Sequence, residues 1–553
     1  MTKKSKNKQI IPINYKLIIN HINIHNDEMT FYCKTPNIKN IVNNIYIYNE
    51  ENQKYNFEKY QLDTKNEIID EEETIKNIGL KITINLKKFK KIKILCNLEK
   101  INIGLGKLSY FNKTFASIYR TSDNYYIKYN KNDNSFNVIK KNIKNKLLLS
   151  SKLYFNLLKK KKFKTIFYRI IANIYLLFNH KNIWLISDRI QYANDNGEAF
   201  FEYVMENKKD NKHNYYFIIK KESDDYKRLK QKYPKNIIEY NSFKHKILFL
   251  NAKEIISAHG EDYIINVFGK SKKYMTDMYK FNFIFLQHGI TQNNLSPWLN
   301  VNSKKIDLFI CAAKEEYKSI NNFKYNFPKN VPVLTGFARY DKLLNNDTKQ
   351  TNTIMLAPTW RAYIAGNIDP KTGERAINNE FKKTDYFKFY NSLINNKKLI
   401  KYLKEKNYKI RFIPHQNMSQ NIKYFDQNDT VDVITKSISY SKEFKQNKLL
   451  ITDYSSTFFD FAYLHKPIIY TQFDIEKFYE SQIFDKGYFN YEKDGFGPIC
   501  KTVDETVNTI IKIIDNNCII DKQYEKKINS FYEYTDNKNC ERIYNKIIEL
   551  EKK

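Results

Sequence analysis

Alternating hydrophobic and polar positions predict short β-strands in the first 145 residues of the chain. The runs that show this pattern read YKLIINHINI, NIYIY, KITINL and KIKILCNL, and turn-forming pairs such as Asn26-Asp27 lie between them. Strands with a period of two and short connections are typical of an antiparallel sheet with one buried face. We therefore predict a β-rich accessory domain over residues 1–145, with a binding or spacing role.

The pattern becomes helical over residues 146–180, in the stretch LLLSSKLYFNLLKKKKFKTIFYRIIANIYLLFN. It combines aromatic and aliphatic residues with a basic cluster from Lys159 to Lys164. A basic amphipathic helix can lie in a membrane interface, where acidic lipids attract its lysines. The alternative is a linker helix whose apolar stripe packs on the protein itself. The sequence leaves both interpretations open.

After Lys181, short apolar runs alternate with helical or loop segments, which indicates parallel α/β sheets. The first block contains NIWLISD, YYFIIK, IIEY, EIISA, FNFIFLQ, IDLFICAA and VPVLTG. The second block, after Asp347, contains TIMLAP, YKIRFIP, VDVIT, KLLITD and PIIYT, and a charged helix follows from about Asn539. We predict an α/β fold with two Rossmann-like domains that face a cleft, over residues 181–347 and 348–553.

Composition narrows the class of protein without identifying it. The 553 residues are 42% hydrophobic and include 44 Tyr and 38 Phe, which excludes wholesale disorder. A formal net charge of +34 suits nucleic acid, an anionic membrane, or an anionic polymer and nucleotide substrate. The six cysteines form no CxxC pair, so we expect reduced thiols and no zinc site. We find neither a signal-peptide core nor an apolar run of spanning length, so we expect a cytoplasmic protein, soluble or peripheral.

Polar residues suited to acid–base and phosphate chemistry follow several predicted strands. FNFIFLQHG ends in His288 and Gly289, and an imidazole there can take a proton from a hydroxyl near neutral pH. TIMLAPTWR places Thr359 and Arg361 after a strand, and the planar fork of an arginine suits phosphate. YKIRFIPHQN places His415 after another. Because ligands collect at the carboxyl ends of parallel strands, we group these residues, although a lone histidine is often structural.

The stretch KLLITDYSSTFFDF has the pattern of a buried strand that leads directly into a helix. Asp453 ends the strand, and the small hydroxyl side chains of Ser455, Ser456 and Thr457 begin the helix. Such hydroxyls cap a helix, and the backbone N–H groups beside them form an anion site. A plain N-cap is the alternative.

Taken in order, these stretches resemble the CDP-glycerol glycerophosphotransferase family, the teichoic-acid and capsule polymerases, whose fold is GT-B-like. The motifs are HG after a strand, TGFARYD, APTWR, the strand end with His415 and ITDYSSTFFDFA, and the resemblance covers about residues 181–535. NIWLISDRIQYANDNGEAFFEYV looks like the family's opening strand and helix. Its matching loop carries Asp188, Arg189, Asp195 and Asn196.

Within this family, the motif around His288 resembles the capsule-type branch more than the wall teichoic-acid polymerases. LQHGITQNNLSPWLN lacks the Trp that usually precedes the HG pair in the latter. His415-Gln416 stands where they carry His-Pro, and Ala338-Arg339 stands where a Pro usually precedes the Arg. These departures leave the reaction type as implied and leave the polyol and the acceptor open.

The resemblance implies a role for each matching residue. His288 is the candidate general base, and His415 looks like the second essential histidine, near the donor pyrophosphate. Ser455, Ser456 and Thr457 look like the donor-phosphate cradle, and Asp460 matches an acidic residue that contacts the donor's polyol or cytidine. Arg339 and Arg361 are expected phosphate partners, with a structural carboxylate as the alternative partner of Arg361. The remaining expected substrate-binding residues are Gly289, Thr359 and Asp453.

The predicted activity is transfer of glycerol phosphate, or a related polyol phosphate, from CDP-glycerol to the hydroxyl end of a teichoic-acid-like or capsular polymer, with release of CMP. The expected partners are a CDP-polyol donor, a polyol-phosphate or lipid-linked polymer acceptor and the anionic inner face of the cell membrane. We expect no metal, no cofactor and no nucleic acid. The alternatives are a GT-B glycosyltransferase that uses a sugar nucleotide and a basic nucleic-acid-binding protein, although the basic residues are scattered and form no recognised motif.

Overall fold

The structure is a computed structural model, and it describes most of the chain. The residues described are 16–36, 42–62, 67–70, 73–75, 77–96, 99–208, 211–322, 324–345, 348–364, 378–434, 439–481 and 485–552. The predicted β-rich domain over residues 1–145 is only partly covered, because residues 1–15 lie outside the described ranges. Asp347, at the predicted junction of the two α/β domains, also lies outside them.

The N-terminal region consists of two facing β-sheets and a separate two-stranded sheet formed by its sixth and seventh strands. Its strands are β1 (Lys16–His25), β2 (Glu28–Pro36), β3 (Ile45–Tyr48), β4 (Lys54–Asn56), β5 (Glu58–Gln61), β6 (Glu67–Asp70), β7 (Glu73–Ile75), β8 (Asn77–Asn85), β9 (Lys91–Cys96), β10 (Glu99–Lys100), β11 (Asn102–Leu108), β12 (Tyr119–Thr121), β13 (Tyr125–Asn130) and β14 (Ser135–Lys140). One sheet has the order β11-β1-β2-β8-β5, and the other has the order β12-β13-β14-β9-β3-β4 with β10 beside β9.

The apolar positions of the alternating pattern form the core of this region. Phe31 from the first sheet and Phe136 from the second are both fully buried, with ring centroids 5.5 Å apart. The pairing is antiparallel as predicted, except that β1 pairs with β11 in parallel. The predicted β-rich region is therefore confirmed.

Two helices, α1 (Ile143–Lys159) and α2 (Phe163–Phe178), follow the sheets. The sequence predicted one helical stretch, and the break occurs in the lysine cluster, where Lys161 has a φ of 54°. Arg169 fixes α2 to the next domain through two hydrogen bonds, of 2.8 and 2.6 Å, to the buried carboxylate of Asp277. None of the helices described here combines the length and the apolar character that crossing a bilayer requires.

One stripe of this helical pair packs on the protein and another faces solvent. Leu149, Leu153 and Leu157 are buried. The exposed large apolar side chains of the pair are Ile143, Leu147, Leu148, Phe155, Leu158, Phe163, Phe167, Ile170, Ile174, Leu176, Leu177 and Phe178. Packing on the protein thus accounts for only part of the apolar surface of these helices.

The first Rossmann-like domain is a parallel sheet with helices on both faces. Its elements are β15 (Asn182–Ser187), α3 (Asn196–Asn207), β16 (His213–Ile219), α4 (Asp224–Lys232), β17 (Ile237–Glu239), α5 (Phe243–Leu250), β18 (Ala252–Ser257), α6 (Asp262–Ile265), β19 (Asn282–Phe285), β20 (Leu308–Cys311), α7 (Lys314–Ile320), β21 (Pro332–Leu334) and α8 (Ala338–Leu343). The strand order is β17-β16-β15-β18-β19-β20-β21.

The second Rossmann-like domain repeats this topology. Its elements are β22 (Thr353–Leu356), α9 (Asp385–Ile394), α10 (Lys397–Glu405), β23 (Lys409–Phe412), β24 (Val431–Val433), α11 (Tyr440–Gln446), β25 (Leu449–Thr452), α12 (Thr457–Tyr463), β26 (Ile468–Thr471), α13 (Ile475–Ser481), α14 (Tyr491–Asp494), β27 (Ile499–Cys500), α15 (Val503–Asp515), α16 (Lys522–Phe531) and α17 (Asn539–Glu551). The order is β24-β23-β22-β25-β26-β27, and in each sheet the order reverses between the first and fourth strands. Ligands bind at such a switch point.

A shared core joins the two domains on one side of the cleft. Tyr340 and Tyr463 stack with ring centroids 4.1 Å apart, one from each domain. The last helix, α17, crosses back to the first domain, where Glu551 accepts hydrogen bonds from Trp184 (2.8 Å) and His213 (3.0 Å). The predicted fold class, two Rossmann-like domains in a GT-B-like arrangement behind a β-rich region and a helical linker, is confirmed.

Candidate active site

The turn after β19 presents His288 to the cleft. Gln287 adopts a positive φ of 61°, and its side chain donates a hydrogen bond of 2.9 Å to Glu316. The Glu316 carboxylate also accepts the backbone N–H groups of Thr291 (2.7 Å) and Ala312 (2.8 Å). Burial raises the pKa of Glu316 to about 7, against the opposing effect of these hydrogen bonds. A buried carboxyl group therefore fixes the backbone on both sides of His288.

A second histidine, His259, packs against His288. The two rings stack with centroids 4.4 Å apart and planes 13° apart. Arg189 donates to Nε2 of His259 over 3.3 Å, and Glu261 lies 3.7 Å from Nδ1 of the same ring. His259 was missed by our sequence analysis, although it heads a second His-Gly pair directly after the predicted strand EIISA.

The surroundings of His288 favour its neutral form. Part of the side chain is exposed to solvent, while His259 stacks on its ring and the carbonyl of Ala258 lies 3.4 Å from its Nδ1. Partial burial in the protein, together with the neighbouring His259 and the positive charge of Arg189, lowers the pKa of His288 to about 4, against the opposing charge of Asp195. The imidazole is therefore an unprotonated base at neutral pH.

The loop after β15 is tied to the His288 turn. The buried carboxylate of Asp188 accepts the backbone N–H groups of Asp195 (3.0 Å), Gly197 (2.6 Å) and Glu198 (3.1 Å), and so caps α3. Burial and the nearby acidic side chains raise the pKa of Asp188 well above its usual value. Asn196 donates to the carbonyl of Gln287 over 2.7 Å, which links the start of α3 to the turn that carries His288.

Arg339 connects the two domains across the base of the cleft. Its Nε and Nη2 donate to both oxygens of Asp460, over 2.7 and 2.9 Å, and its Nη1 donates to Asp195 over 2.8 Å. Its backbone N–H donates to Asn196 over 3.0 Å. The sequence analysis assigned ligand-binding roles to both Arg339 and Asp460, and these roles stay predictions. In the structure the two side chains are partners of each other.

The hydroxyl-rich turn of the second domain lies opposite the His288 turn. Ser455, Ser456 and Thr457 are partly exposed and follow β25, and the hydroxyls of Ser455 and Thr457 lie 2.9 Å apart. The two turns approach so closely that a Cβ atom built on Gly289 lies only 3.1 Å from Oγ of Ser456. The fold thus brings the predicted base and the predicted phosphate cradle to the same cleft.

Arg361 is fully buried beneath this turn. It donates to Asp474 over 2.7 and 2.9 Å, to Asp453 over 2.8 Å and to the carbonyl of Thr359 over 2.7 Å. Asp453 also accepts the N–H of Thr359 over 2.8 Å. The pairing with structural carboxylates, which the sequence left open for Arg361, is the arrangement observed. Arg361 and Asp453 thus hold the ends of β22 and β25 in register.

His415 follows β23, whose neighbours in the sheet are β22 and β24. Its Nδ1 accepts the N–H of Asn417 over 3.1 Å at the start of a short 3₁₀ helix, and its ring centroid lies 6.2 Å from that of Trp360. His415, Thr359 and Ser455 consequently lie at the carboxyl ends of three adjacent strands. No group of three or more metal-ligating side chains occurs within the described ranges.

Comparison with known proteins points to one family. The family profile described as CDP-Glycerol:Poly(glycerophosphate) glycerophosphotransferase matches residues 166–549. Minor teichoic acid biosynthesis protein GgaB of Bacillus subtilis (strain 168) is 41% identical over 388 residues, which cover 70% of this chain and 42% of that protein. A teichoic acid poly(glycerol phosphate) polymerase of Bacillus spizizenii (strain ATCC 23059 / NRRL B-14472 / W23) is 27% identical over 270 residues, 47% of this chain and 58% of that protein.

A solved structure of the wall teichoic acid polymerase TagF covers 74% of this chain and 98% of its own, with 18% identity and a TM-score of 0.49. The chain spans less than half the length of GgaB. It therefore matches the family over most of its own length and that relative over only part of the relative's length.

We predict that the stability of the two-domain structure depends on the ion pair between Arg339 and Asp460. Arg339→Met leaves Asp460 buried and unpaired, which should cost about 3–5 kcal/mol of stability and lower the melting temperature in calorimetry. The double variant Arg339→Met/Asp460→Leu should regain a large part of the loss, because it leaves the buried position of Asp460 uncharged.

The control is Lys318→Met, which removes an exposed ion pair with Glu315 and should change stability by less than about 1 kcal/mol. Losses that simply add in the double variant would show that the two side chains are not coupled.

Proposed function

The chain belongs to the CDP-glycerol:poly(glycerophosphate) glycerophosphotransferase family, and we propose that it transfers a polyol phosphate, with glycerol phosphate as the first candidate, from a CDP-polyol to the hydroxyl end of a teichoic-acid-like or capsular polymer. One observation carries this proposal most directly. An unprotonated histidine, His288, faces a turn of Ser455, Ser456 and Thr457 across a cleft in which Gly289 and Ser456 nearly touch. A base and a phosphate-binding turn are the groups that such a transfer requires.

His288 activates the acceptor in this mechanism. Its Nδ1 lies 3.4 Å from the carbonyl oxygen of Ala258, which can only accept a hydrogen bond, so that Nδ1 carries the proton and Nε2 is the basic atom. Nε2 takes the proton of the acceptor's terminal hydroxyl as that oxygen attacks the polyol-bearing phosphorus. The bond from this phosphorus to the bridging oxygen breaks, and CMP leaves with the electron pair.

The second domain holds the donor. Backbone N–H groups and hydroxyls at Ser455, Ser456 and Thr457 bind the donor phosphates, and His415, two strands away in the same sheet, stabilises the leaving phosphate. Transfer of this kind depends on alignment and on neutralisation of phosphate charge more than on covalent help. We include in the proposal that the reaction needs neither a metal nor a cofactor.

The enzyme works at the inner face of the cell membrane in this proposal. The exposed apolar side chains of α1 and α2 lie beside the lysines of residues 159–164, a combination suited to an interface with acidic lipids. Because this stripe faces solvent on both helices, it favours contact with a bilayer surface over the alternative, in which the apolar side chains would all pack on the protein itself.

Release of CMP is the first test. Purified protein with CDP-glycerol and a glycerol-phosphate oligomer, in the presence of EDTA, should release CMP only when the oligomer is added. His288→Ala should lower the turnover about 10²- to 10⁴-fold, while the exposed His25→Ala, in the β-rich region, should leave it unchanged.

Release of CMP from CDP-ribitol but not from CDP-glycerol would show that the transferred polyol is ribitol and would leave the proposed mechanism unchanged. Release from UDP-sugars alone would favour the glycosyltransferase, and dependence on added Mg²⁺ would contradict the metal-free reaction.

The pH dependence of kcat/KM tests the base. Because the pKa of His288 is lowered to about 4, the rate should stay high from neutral pH down to about 5 and fall only as pH approaches 4, where Nε2 becomes protonated. His259→Asn removes the neighbouring ring and should move this acidic limb to higher pH. An acidic limb near 6.5 in the wild-type protein, equal in the variant, would exclude the proposed environment of His288.

The lowered pKa of His288 also predicts that folding stability declines as pH falls from 6.5 to 4, because the unfolded chain binds the proton first.

Binding to vesicles tests the membrane surface. Vesicles that contain phosphatidylglycerol should co-sediment with the protein, and Leu177→Ser/Phe178→Ser should weaken this binding because the two side chains are 70% and 82% exposed. Ile519→Ser, at a 63% exposed apolar side chain of the second domain, is the matched control and should bind as the wild type does. Equal binding by the wild type, the double variant and the control would show that the membrane contact does not involve the end of α2.

A further inference from the structure

A cavity of about 350 Å³ lies outside the cleft, where the β-rich region meets the first Rossmann-like domain. Strands β1 and β11 form one wall, and the segments that follow β18 and precede β20 form the other. Its lining includes Asn20, Lys107, Gly260, Asp262, Asn302 and Lys304. The volume is within the range of about 300–1,000 Å³ that is usual for small-molecule sites.

Two amide side chains in this lining have unmet hydrogen-bonding capacity. Asn302 is only 7% exposed, and its Nδ2 has no hydrogen-bond partner among the residues that the structure describes, while its Oδ1 accepts from Tyr60 over 3.0 Å. Oδ1 of Asn20 is also buried and without a partner in the same part of the chain. Unpaired buried polar atoms are costly and uncommon, so a donor and an acceptor together indicate a hydroxylated ligand.

The charges around the cavity favour a ligand that also carries phosphate. Lys107 is exposed at the rim, and Lys304 lies on the opposite wall. Asp262, the acidic residue of the lining, is engaged by Asn266 at 3.1 Å and lies 3.8 Å from Lys272. Lys304 is engaged by the carbonyl of Gly260, so the positive charge at the rim that is available to an anion is that of Lys107.

The cavity lies next to the candidate active site. Gly260 directly follows His259, the ring that stacks on His288. Lys304 donates to the carbonyl of Gly260 over 2.7 Å, which ties together the two segments of this wall. Trp298 is half exposed with Nζ of Lys304 5.4 Å from its ring, and it adds an apolar surface for the carbon atoms of a polyol. The cavity lining thus begins one residue away from the ring that packs on His288.

We propose that this cavity is a second acceptor site, which binds an internal phosphodiester-linked, hydroxylated unit of the polymer while the polymer end lies at His288. The inference rests on the proposed transfer reaction and extends it, because it makes the β-rich region part of substrate binding. It follows that acceptors long enough to reach the cavity bind more tightly than a single unit does.

The test compares two exposed lysines of the β-rich region, Lys107 at the cavity and Lys131 in a turn away from it. Lys107→Glu should raise the KM for a glycerol-phosphate oligomer of about six units about tenfold or more, with kcat and the KM for a single-unit acceptor unchanged. Asn20→Ala should act in the same direction, because it removes the unpaired acceptor. Lys131→Glu makes the same charge change and should leave all constants at their wild-type values.

Calorimetric titration of the same oligomer without donor separates this inference from the reaction. Binding by the wild-type protein that Lys107→Glu weakens and Lys131→Glu preserves supports the site, even if no CDP donor yields CMP. Absent binding, or equal weakening by both lysine variants, overturns the site. Acceptor-dependent CMP release with the same KM in the wild type and Lys107→Glu also overturns it and leaves the transfer reaction intact.

Discussion

The two-domain arrangement depends on one guanidinium group, that of Arg339. It joins Asp195 of the first domain to Asp460 of the second, and its own backbone N–H is held by Asn196. Through Asn196 the same network reaches the carbonyl of Gln287, directly before His288. Burying these charges is expensive, so the network adds geometric definition more than stability. It fixes the distance between the His288 turn of one domain, which carries the proposed base, and the turn of residues 455–457 of the other, the proposed phosphate site.

The buried polar groups of the site hold its backbone in place, and the accessible polar groups are those that can contact a ligand. Arg361, Asp453 and Asp474 form a buried ion-pair network inside the second domain, which backbone groups of Thr359 complete, and this network shapes the strand ends. His288 and the hydroxyls from Ser455 to Thr457 remain accessible. A transfer that relies on alignment needs both sets, because loosely held ligand groups lose the benefit of a fixed attack geometry.

The sequence predicted what depends on local pattern and missed what depends on distant partners. Alternation and apolar runs located both parallel sheets, and the motifs located His288, His415 and the Ser455 turn. The pairing of Arg339 with Asp460 spans 121 positions and leaves no local trace, and Glu316 reads as an ordinary charge on a helix. Strand β27 was not predicted because two residues, Ile499 and Cys500, are too short to show a period.

The positive charge of the chain bears on both parts of the proposed reaction, acceptor binding and the protonation state of His288. Burial, the neighbouring His259 and the positive charge of Arg189 keep the pKa of His288 low, and positive charge would also attract the proposed phosphate-bearing acceptor. Asp195 opposes this effect on His288 but is itself partly neutralised by Arg339, so the bridge between the domains also protects the electrostatics of the base. In the proposed reaction, positive charge at this site would therefore have two effects. It would attract a polyanionic substrate, and it would keep His288 unprotonated before the hydroxyl proton is transferred.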